Sequence, residues 1–229
     1  MYSNRPSRSQ LGTKSKNMKL IDITFDLESL SLASNAAIVQ IAAVVFNRHA
    51  SSADELFPIN IPPFECKVDI RSCVADGFDF SPSTVKWWAE KPEEVKAEVL
   101  SGDCYPLQEV FSNFIEWLNE VKMATQSDML CLWAQGSDFD ISVLRTILRT
   151  YNLEERFPVP YHNYRDARTF IAEIGSHFAA NEEALADHAK IYEALPKYTG
   201  DGNVHNAVYD CLRTSWSVWQ CFSLLPDPA

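Results

Sequence analysis

The chain is 229 residues long, with 46% hydrophobic and 12% aromatic residues and a formal net charge of −11. A length inside the ~250 residues of a large single domain, with so many aromatics, implies one packed core and excludes wholesale disorder. The acidic balance argues against loose binding along duplex nucleic acid, which needs a basic footprint, and no apolar run reaches the ~18 residues of a membrane span or resembles a secretory signal.

Residues 1–17 are rich in Ser, Asn and Arg and lack hydrophobic periodicity, so they are predicted to form a disordered extension ahead of Met18, itself an alternative start. This acid-free segment has the composition of a mitochondrial targeting sequence but no visible amphipathic face. Residues 1–19 hold Arg5, Arg8, Lys14, Lys16 and Lys19 and no acid, so the body beyond them is more acidic still. One domain is expected over 18–229. The cysteines Cys66, Cys73, Cys104, Cys131, Cys211 and Cys221 form no Cys-x-x-Cys pair. They are expected to be free thiols in a reducing, cytoplasmic setting. His49, His162, His177, His188 and His205 have no zinc-like spacing to one another or to the cysteines.

Leu20–Leu27 alternates Ile21, Ile23, Phe25 and Leu27 with Asp22, Thr24 and Asp26, the pattern of a strand buried on one face. Ile38–Phe46 is a near-continuous β-branched run and Phe64–Val68 a third strand, which together suggest a β-meander. Helices are predicted over Pro82–Ala89, Pro92–Leu100 and Pro106–Val121, each opening with a proline in its first turn. Met129–Trp133 reads as a strand, Asp140–Tyr151 as an amphipathic helix and Tyr161–Asp166 as a last strand before another helix. Asn206–Phe222 closes the chain as a helix whose buried stripe is expected to be Val208, Cys211, Leu212, Trp216 and Trp219. A meander followed by strand–helix alternation implies an α/β fold built on a mixed sheet with helices on its faces.

Residues two apart on a strand point the same way, so Asp26 and Glu28 present two carboxylates to one side, where they could hold a hard cation. Taken alone, an Asp-x-Glu is more often an ordinary polar strand face. Asp140 lies at a strand-to-helix turn, where α/β folds bind ligands, with Asp138 competing for the role and helix capping the plainer explanation of either. His205 precedes Asp210 by five residues at the start of the closing helix. From a loop there it can swing over whatever Asp210 holds.

The order Asp26-x-Glu28, Phe139-Asp140, His205-x4-Asp210 resembles the DEDDh family of 3′–5′ exonucleases, which have a ribonuclease H-like fold. The resemblance covers nearly all of residues 18–223. It is strongest to phage and bacterial single-strand exonucleases and exoribonucleases, through Ser83-Thr84-Val85-Lys86-Trp87-Trp88, Arg165-Asp166-Ala167-Arg168-Thr169 and the Trp133-x-x-Gly136-x-x-Phe139-Asp140 form of the second motif. It implies Asp26, Glu28, Asp140 and Asp210 as ligands of two Mg²⁺ or Mn²⁺ ions and His205 as general base, with Asp140 preferred over Asp138. Ser29 and Leu30 fall where the family contacts the terminal nucleotide, although many relatives carry threonine at this place. The Ser31–Ala37 turn, without glycine, is a second departure.

Four clustered carboxylates would raise one another's pKa unless cations neutralised them, and two divalent ions would also activate water and clamp a phosphate. Trp87 and Trp88 could stack on terminal bases, though adjacent tryptophans more often divide between core and rim. Arg168 could pair with a phosphate, and Asp166 could cap the next helix. The expected activity is 3′–5′ hydrolysis of single-stranded RNA or DNA ends to nucleoside 5′-monophosphates. A catalytically silent nucleic-acid-binding protein of the same fold is the alternative, and an endonuclease a third. A homodimer could supply the basic surface that this acidic chain lacks.

Overall fold

A computed structural model describes residues 19–58, 60–176 and 188–225. The predicted extension 1–17, Met18 and His177 lie outside the described residues. The sheet has five strands in the order β3-β2-β1-β4-β5: β1 Leu20–Ser29, β2 Ile38–Phe46, β3 Phe64–Lys67, β4 Met129–Ala134 and β5 Tyr164–Asp166. The first three form the expected antiparallel meander, whereas β4 runs parallel to β1 and β5 parallel to β4. Antiparallel neighbours can be joined by tight connections, but the parallel β1–β4 pairing needs a long crossover. That crossover contains α1 Ile70–Ala75, α2 Pro82–Ala89, α3 Glu93–Leu100 and α4 Leu107–Thr125. Beyond β4 follow α5 Ser142–Thr150, α6 Ala167–Gly175, α7 His188–Ala194 and α8 Ala207–Phe222.

On one face of the sheet Ile23, Phe25, Leu27, Ile41 and Leu132 pack with Phe111, Phe114 and Leu118 of α4 and Leu144 and Ile147 of α5. On the other, Ala42 and Val44 meet Ala207 and Cys211 of α8, while Phe46 and Trp133 meet Val218, Cys221 and Ile171. Helices on both faces of a mixed sheet give the ribonuclease H-like α/β architecture that the sequence predicts.

This double cover corrects the reading of β1 as buried on one face. Its polar side is covered too, with Asp22 and Thr24 only 3% and 0% exposed. The covering helix is α8, and its predicted stripe is rotated. Its buried residues include Cys211, Thr214, Ser215, Val218 and Cys221, whereas Val208, Leu212, Trp216 and Trp219 are partly open. Small residues let the helix approach the strand closely enough for Thr24 Oγ1 to share a 2.6 Å hydrogen bond with Ser215 Oγ and donate to the Cys211 carbonyl at 3.1 Å. Cys211 is buried as expected, but serine and threonine count weakly in a hydrophobic pattern, which hides the rest of this face from the sequence.

Several boundaries also differ. Pro92 and Pro106 are N-caps outside α3 and α4, whereas Pro82 does occupy the first turn of α2. Residues 161–163 form a 3₁₀ turn ahead of a three-residue β5. The helix expected to begin at Asp140 starts instead with a π-helical turn, Ser137–Ile141, that runs into α5. All six cysteines are free thiols, with Cys73, Cys131, Cys211 and Cys221 buried, Cys66 partly covered and Cys104 exposed.

Candidate active site

Three elements carry the acidic residues to one end of the sheet. Asp26 and Glu28 leave β1 on the α8 side, and immediately after them the β1–β2 register shifts: Glu28 opposes Gln40, whereas Ser29 opposes Ile38. Such a bulge re-aims the chain and is common beside active sites. The π-helical turn after β4 buries Asp140, only 6% exposed, and leaves Asp138 in solvent. The two candidates thus differ in burial, and π turns of this kind are frequent at functional sites. Asp166 caps α6 by accepting from Thr169 N at 2.7 Å and ties down the same turn by accepting from Ser137 N at 2.8 Å.

The third contributor is the start of α8. The Asn206 side chain caps it, accepting from Val208 N and Tyr209 N at 3.0 and 3.3 Å. Gln40, fully buried on β2, fixes it to the sheet: Oε1 accepts from Ala207 N at 3.0 Å and Nε2 donates to Glu65 at 2.8 Å. Just before the cap, His205 adopts left-handed backbone (φ 72°). This turns its own N–H onto Asp210 Oδ2 at 2.9 Å, while Asp210 Oδ1 accepts from Arg213 Nη1 at 2.8 Å. Glu28, His205 and Asp210 each offer a ligand atom, all within 4.8 Å of one another.

The electrostatics join Asp26 and Asp140 to that trio. Burial holds the Asp26 carboxyl well above the usual carboxylate range, and the charges of Asp140, Glu28 and Asp210 push it the same way. Glu28 is raised to about 8 by burial and then by Asp210 and Asp140, with Lys91 opposing. Burial raises Asp140 to about 7 against backbone hydrogen bonds from the Gly136, Asp140 and Leu27 main chain and the charge of Arg168. Burial and the Lys91 charge lower His205 below an ordinary imidazole despite Asp210 nearby. Mutually repelling carboxylates gathered around a neutral imidazole form the donor set expected of a hard-cation site, so the residues fit divalent metal.

Beside the cluster opens a cavity of about 460 Å³ lined by Leu27, Glu28, Ser29, Leu32, Ser83, Thr84, Trp87, Trp88 and Phe139. The two tryptophans divide between core and rim. Trp88 is 3% exposed, packs on Leu30, Val39, Val95 and Val99, and donates its indole N–H to the Ser29 carbonyl at 2.8 Å. As a base-stacking surface it is therefore corrected to a wall of the cavity. Trp87 is the rim residue, edge-to-face with His205 at 4.8 Å between ring centroids and covered by the Lys91 ammonium 3.5 Å from its own centroid. Leu30 supports Trp88 from below, and Leu32, not Leu30, reaches the cavity. The Ser29 hydroxyl lines it but donates to the Ser31 carbonyl at 2.8 Å. Arg168 is exposed and passes over Gly136, where a Cβ would meet its Nη2 at 3.4 Å. It stands within electrostatic reach of Asp140.

The sequence reading missed Lys91, Arg213 and Gln40. Arg213 had a signal, the i,i+3 spacing from Asp210 that makes helix ion pairs. Lys91 and Gln40 had none, because their roles depend on where α2 and α8 dock.

The model of the Rv2179c-like 3′–5′ exoribonuclease domain matches residues 22–222. The chain belongs to this family. The match runs from Asp22 on β1 to Phe222 at the end of α8 and so takes in every element that builds the acidic site. A 3′–5′ exonuclease family on a ribonuclease H-like fold, as the motif order suggests, is borne out. No individual curated protein matches the chain. Among the described residues no helix is long and apolar enough to cross a membrane.

Proposed function

We propose that the protein is a metal-dependent 3′–5′ exonuclease of the DEDDh type, acting on single-stranded RNA ends and releasing nucleoside 5′-monophosphates. The observation that carries this reading is the convergence of Asp26, Glu28, Asp140, Asp210 and His205 on one site, with the first three carboxyls pushed upward. The family description favours RNA over DNA.

Asp26, Glu28, Asp140 and Asp210 would hold the cations, Mg²⁺ or Mn²⁺. When bound, two such ions supply water activation and neutralise charge on the scissile phosphate and the departing 3′ oxygen. His205 accepts the proton of the attacking water at a ring nitrogen. Its lowered pKa keeps the imidazole neutral and able to do so at pH 7. The cavity walled by Trp88, Phe139 and Leu32 takes the terminal nucleoside and excludes water from its base. Trp87 orients the base at the rim. Its contact with His205 couples substrate position to the proton acceptor. The hydrogen bond from His205 N to Asp210 fixes the loop on which the imidazole is carried.

The test is incubation of purified protein with 5′-labelled single-stranded RNA and DNA of one sequence, with Mn²⁺ or EDTA, beside His205→Ala and Asp140→Ala. A ladder shortening from the 3′ end of the RNA, lost with EDTA and in both variants, is expected. RNA left intact with metal present refutes the reading and points to a catalytically silent binding protein.

A further inference from the structure

The cavity beside the carboxylates accounts for one nucleotide, and a strand degraded from its end must also be held on the 5′ side of the bond being cut. The protein as a whole is poorly suited to that, with a net charge of −11. A second cleft, of about 300 Å³, lies between α8 and the chain that follows α7. Its walls include Lys197, Tyr198, Val204, Tyr209 and Arg213. Its size is at the lower end of ligand cavities, about 300–1,000 Å³, and matches a single nucleotide unit rather than a longer chain.

Its composition is that of a single-strand subsite. Two cations, Lys197 and Arg213, face one acid, Glu193, among its lining residues. Two phenol rings stand together, Tyr198 and Tyr209, with centroids 5.8 Å apart. The Arg213 guanidinium lies 5.9 Å from the Tyr209 centroid. Aromatic faces beside cations are how sequence-independent sites hold single-stranded nucleic acid. Continuity with the acidic cluster is direct, because Arg213 lines this cleft and bonds Asp210 through Nη1 at 2.8 Å. A guanidinium has five N–H donors, so engaging Asp210 does not exhaust it. The cleft is also shaped by the backbone. Gly202 has φ +140°, and a Cβ there would lie 2.4 Å from Tyr209 Cδ2, so only glycine lets the His205 loop close down on that ring.

We propose that this cleft is a second nucleotide subsite, holding the nucleotide immediately 5′ of the scissile bond, with Tyr209 against its base or sugar and Lys197 and Arg213 on its 5′ phosphate. The inference rests on the exonuclease reading and names how the substrate of that same site is gripped. It makes the enzyme sensitive to a phosphate that plays no part in the chemistry.

Lys197 is exposed and outside the catalytic set, so Lys197→Ala and Lys197→Glu test it without endangering the fold. Two substrates separate the positions: a 4-nitrophenyl ester of a nucleoside 5′-monophosphate, which fills only the terminal cavity, and a trinucleotide, which also presents the 5′ phosphate. Wild type is expected to have the lower KM for the trinucleotide. Lys197→Ala should raise that KM about two- to fivefold, in the range of one exposed charge contact, and Lys197→Glu should raise it further, with kcat and the ester kinetics unchanged. Equal trinucleotide KM values in wild type and Lys197→Glu would overturn the subsite while leaving the exonuclease reading intact. If wild type cleaves neither substrate, both fall.

Discussion

Replacing Asp140 by Asn should make the metal-free protein more stable while removing its response to metal, and the size of the gain follows from the site's electrostatics. A carboxyl whose pKa is higher folded than unfolded keeps more protons in the native state. Its contribution is absent below the unfolded value and fully destabilising above the folded one. For Glu28 the window runs from 4.5 to about 8, and for Asp140 from 3.8 to about 7. At about 1.4 kcal/mol per tenfold, the Glu28 displacement alone corresponds to roughly 5 kcal/mol at alkaline pH. The carboxylates share one field, so removing a single charge relaxes the others and the separate costs do not add.

Allowing for the backbone hydrogen bonds that a carboxylate at 140 accepts and an amide holds less well, Asp140→Asn should stabilise the metal-free protein at pH 8.5 by roughly 2 kcal/mol. For a domain of this size that is a Tm increase of about 4–8 °C. At pH 4.5, just above the unfolded value of 3.8, most of the gain should be lost. His205 works in the opposite direction, losing stability as pH falls through its usual 6.5. The quantity to measure is therefore the difference between variant and wild type, by thermal unfolding in EDTA at both pH values. Added Mn²⁺ should raise the wild-type Tm at pH 8.5 and leave the variant nearly unmoved. A variant equal to or less stable than wild type at pH 8.5 in EDTA would refute the argument that a buried charge at Asp140, and its field on Asp26 and Glu28, is costly to the fold.

His205→Ala should lower kcat about 10²–10⁴-fold on single-stranded RNA with little change in KM, the range of a lost general base, in steady-state kinetics. Trp87→Ala should raise KM by an amount corresponding to about 1–3 kcal/mol of base stacking and leave Tm nearly unchanged. Trp88→Ala should instead cost about 3–5 kcal/mol in denaturant unfolding, since this ring is buried among Leu30, Val39, Val95 and Val99. Arg48→Ala should destabilise by about 3–5 kcal/mol by leaving the Asp22 carboxylate buried without its ion pair, beside the Trp133 indole, yet the pH dependence of the carboxylate cluster should persist.

What the sequence made legible was local. Asp26-x-Glu28 sits on a strand whose apolar alternation is unbroken, and His205-x4-Asp210 straddles a helix start marked by Asn206, so both motifs carry their geometry in their spacing. Asp140 was legible only through Phe139, because nothing in Ser137–Ile141 announces a π-helical turn. The closing helix was misread for a chemical reason. Its buried face is made of Cys211, Thr214, Ser215 and Val218, residues selected for close approach to β1, while the large tryptophans Trp216 and Trp219 lie at its margins. The division between Trp87 and Trp88 depends on which way α2 leans against Leu30 and Val39, a tertiary choice that two adjacent identical residues cannot encode. Likewise Gln40 reads as one polar interruption in a β-branched run, although its amide attaches α8 to the sheet.

The polar face of β1 offers an internal comparison. Asp22 and Glu28 are both buried carboxylates on one side of one strand, six residues apart in sequence. Asp22 is matched by the chain itself: Arg48 bonds both of its oxygens, the Trp133 indole donates to Oδ1 at 2.7 Å, and Arg48 in turn lies over the Phe222 ring. Between them Thr24 is neutral and satisfied by Ser215 and the Cys211 carbonyl. At the other end, burial first and then the charges of Asp140 and Asp210 raise the pKa values of Asp26 and Glu28, with Arg213 relieving Asp26 and Lys91 relieving Glu28 in part. A strand selected for stability alone would solve the second position as it solved the first, with a guanidinium or an apolar side chain. Carboxylates left buried without full ion pairing at this end, next to a cavity of about 460 Å³, support the proposed reading of a site kept for chemistry at the expense of the fold that carries it.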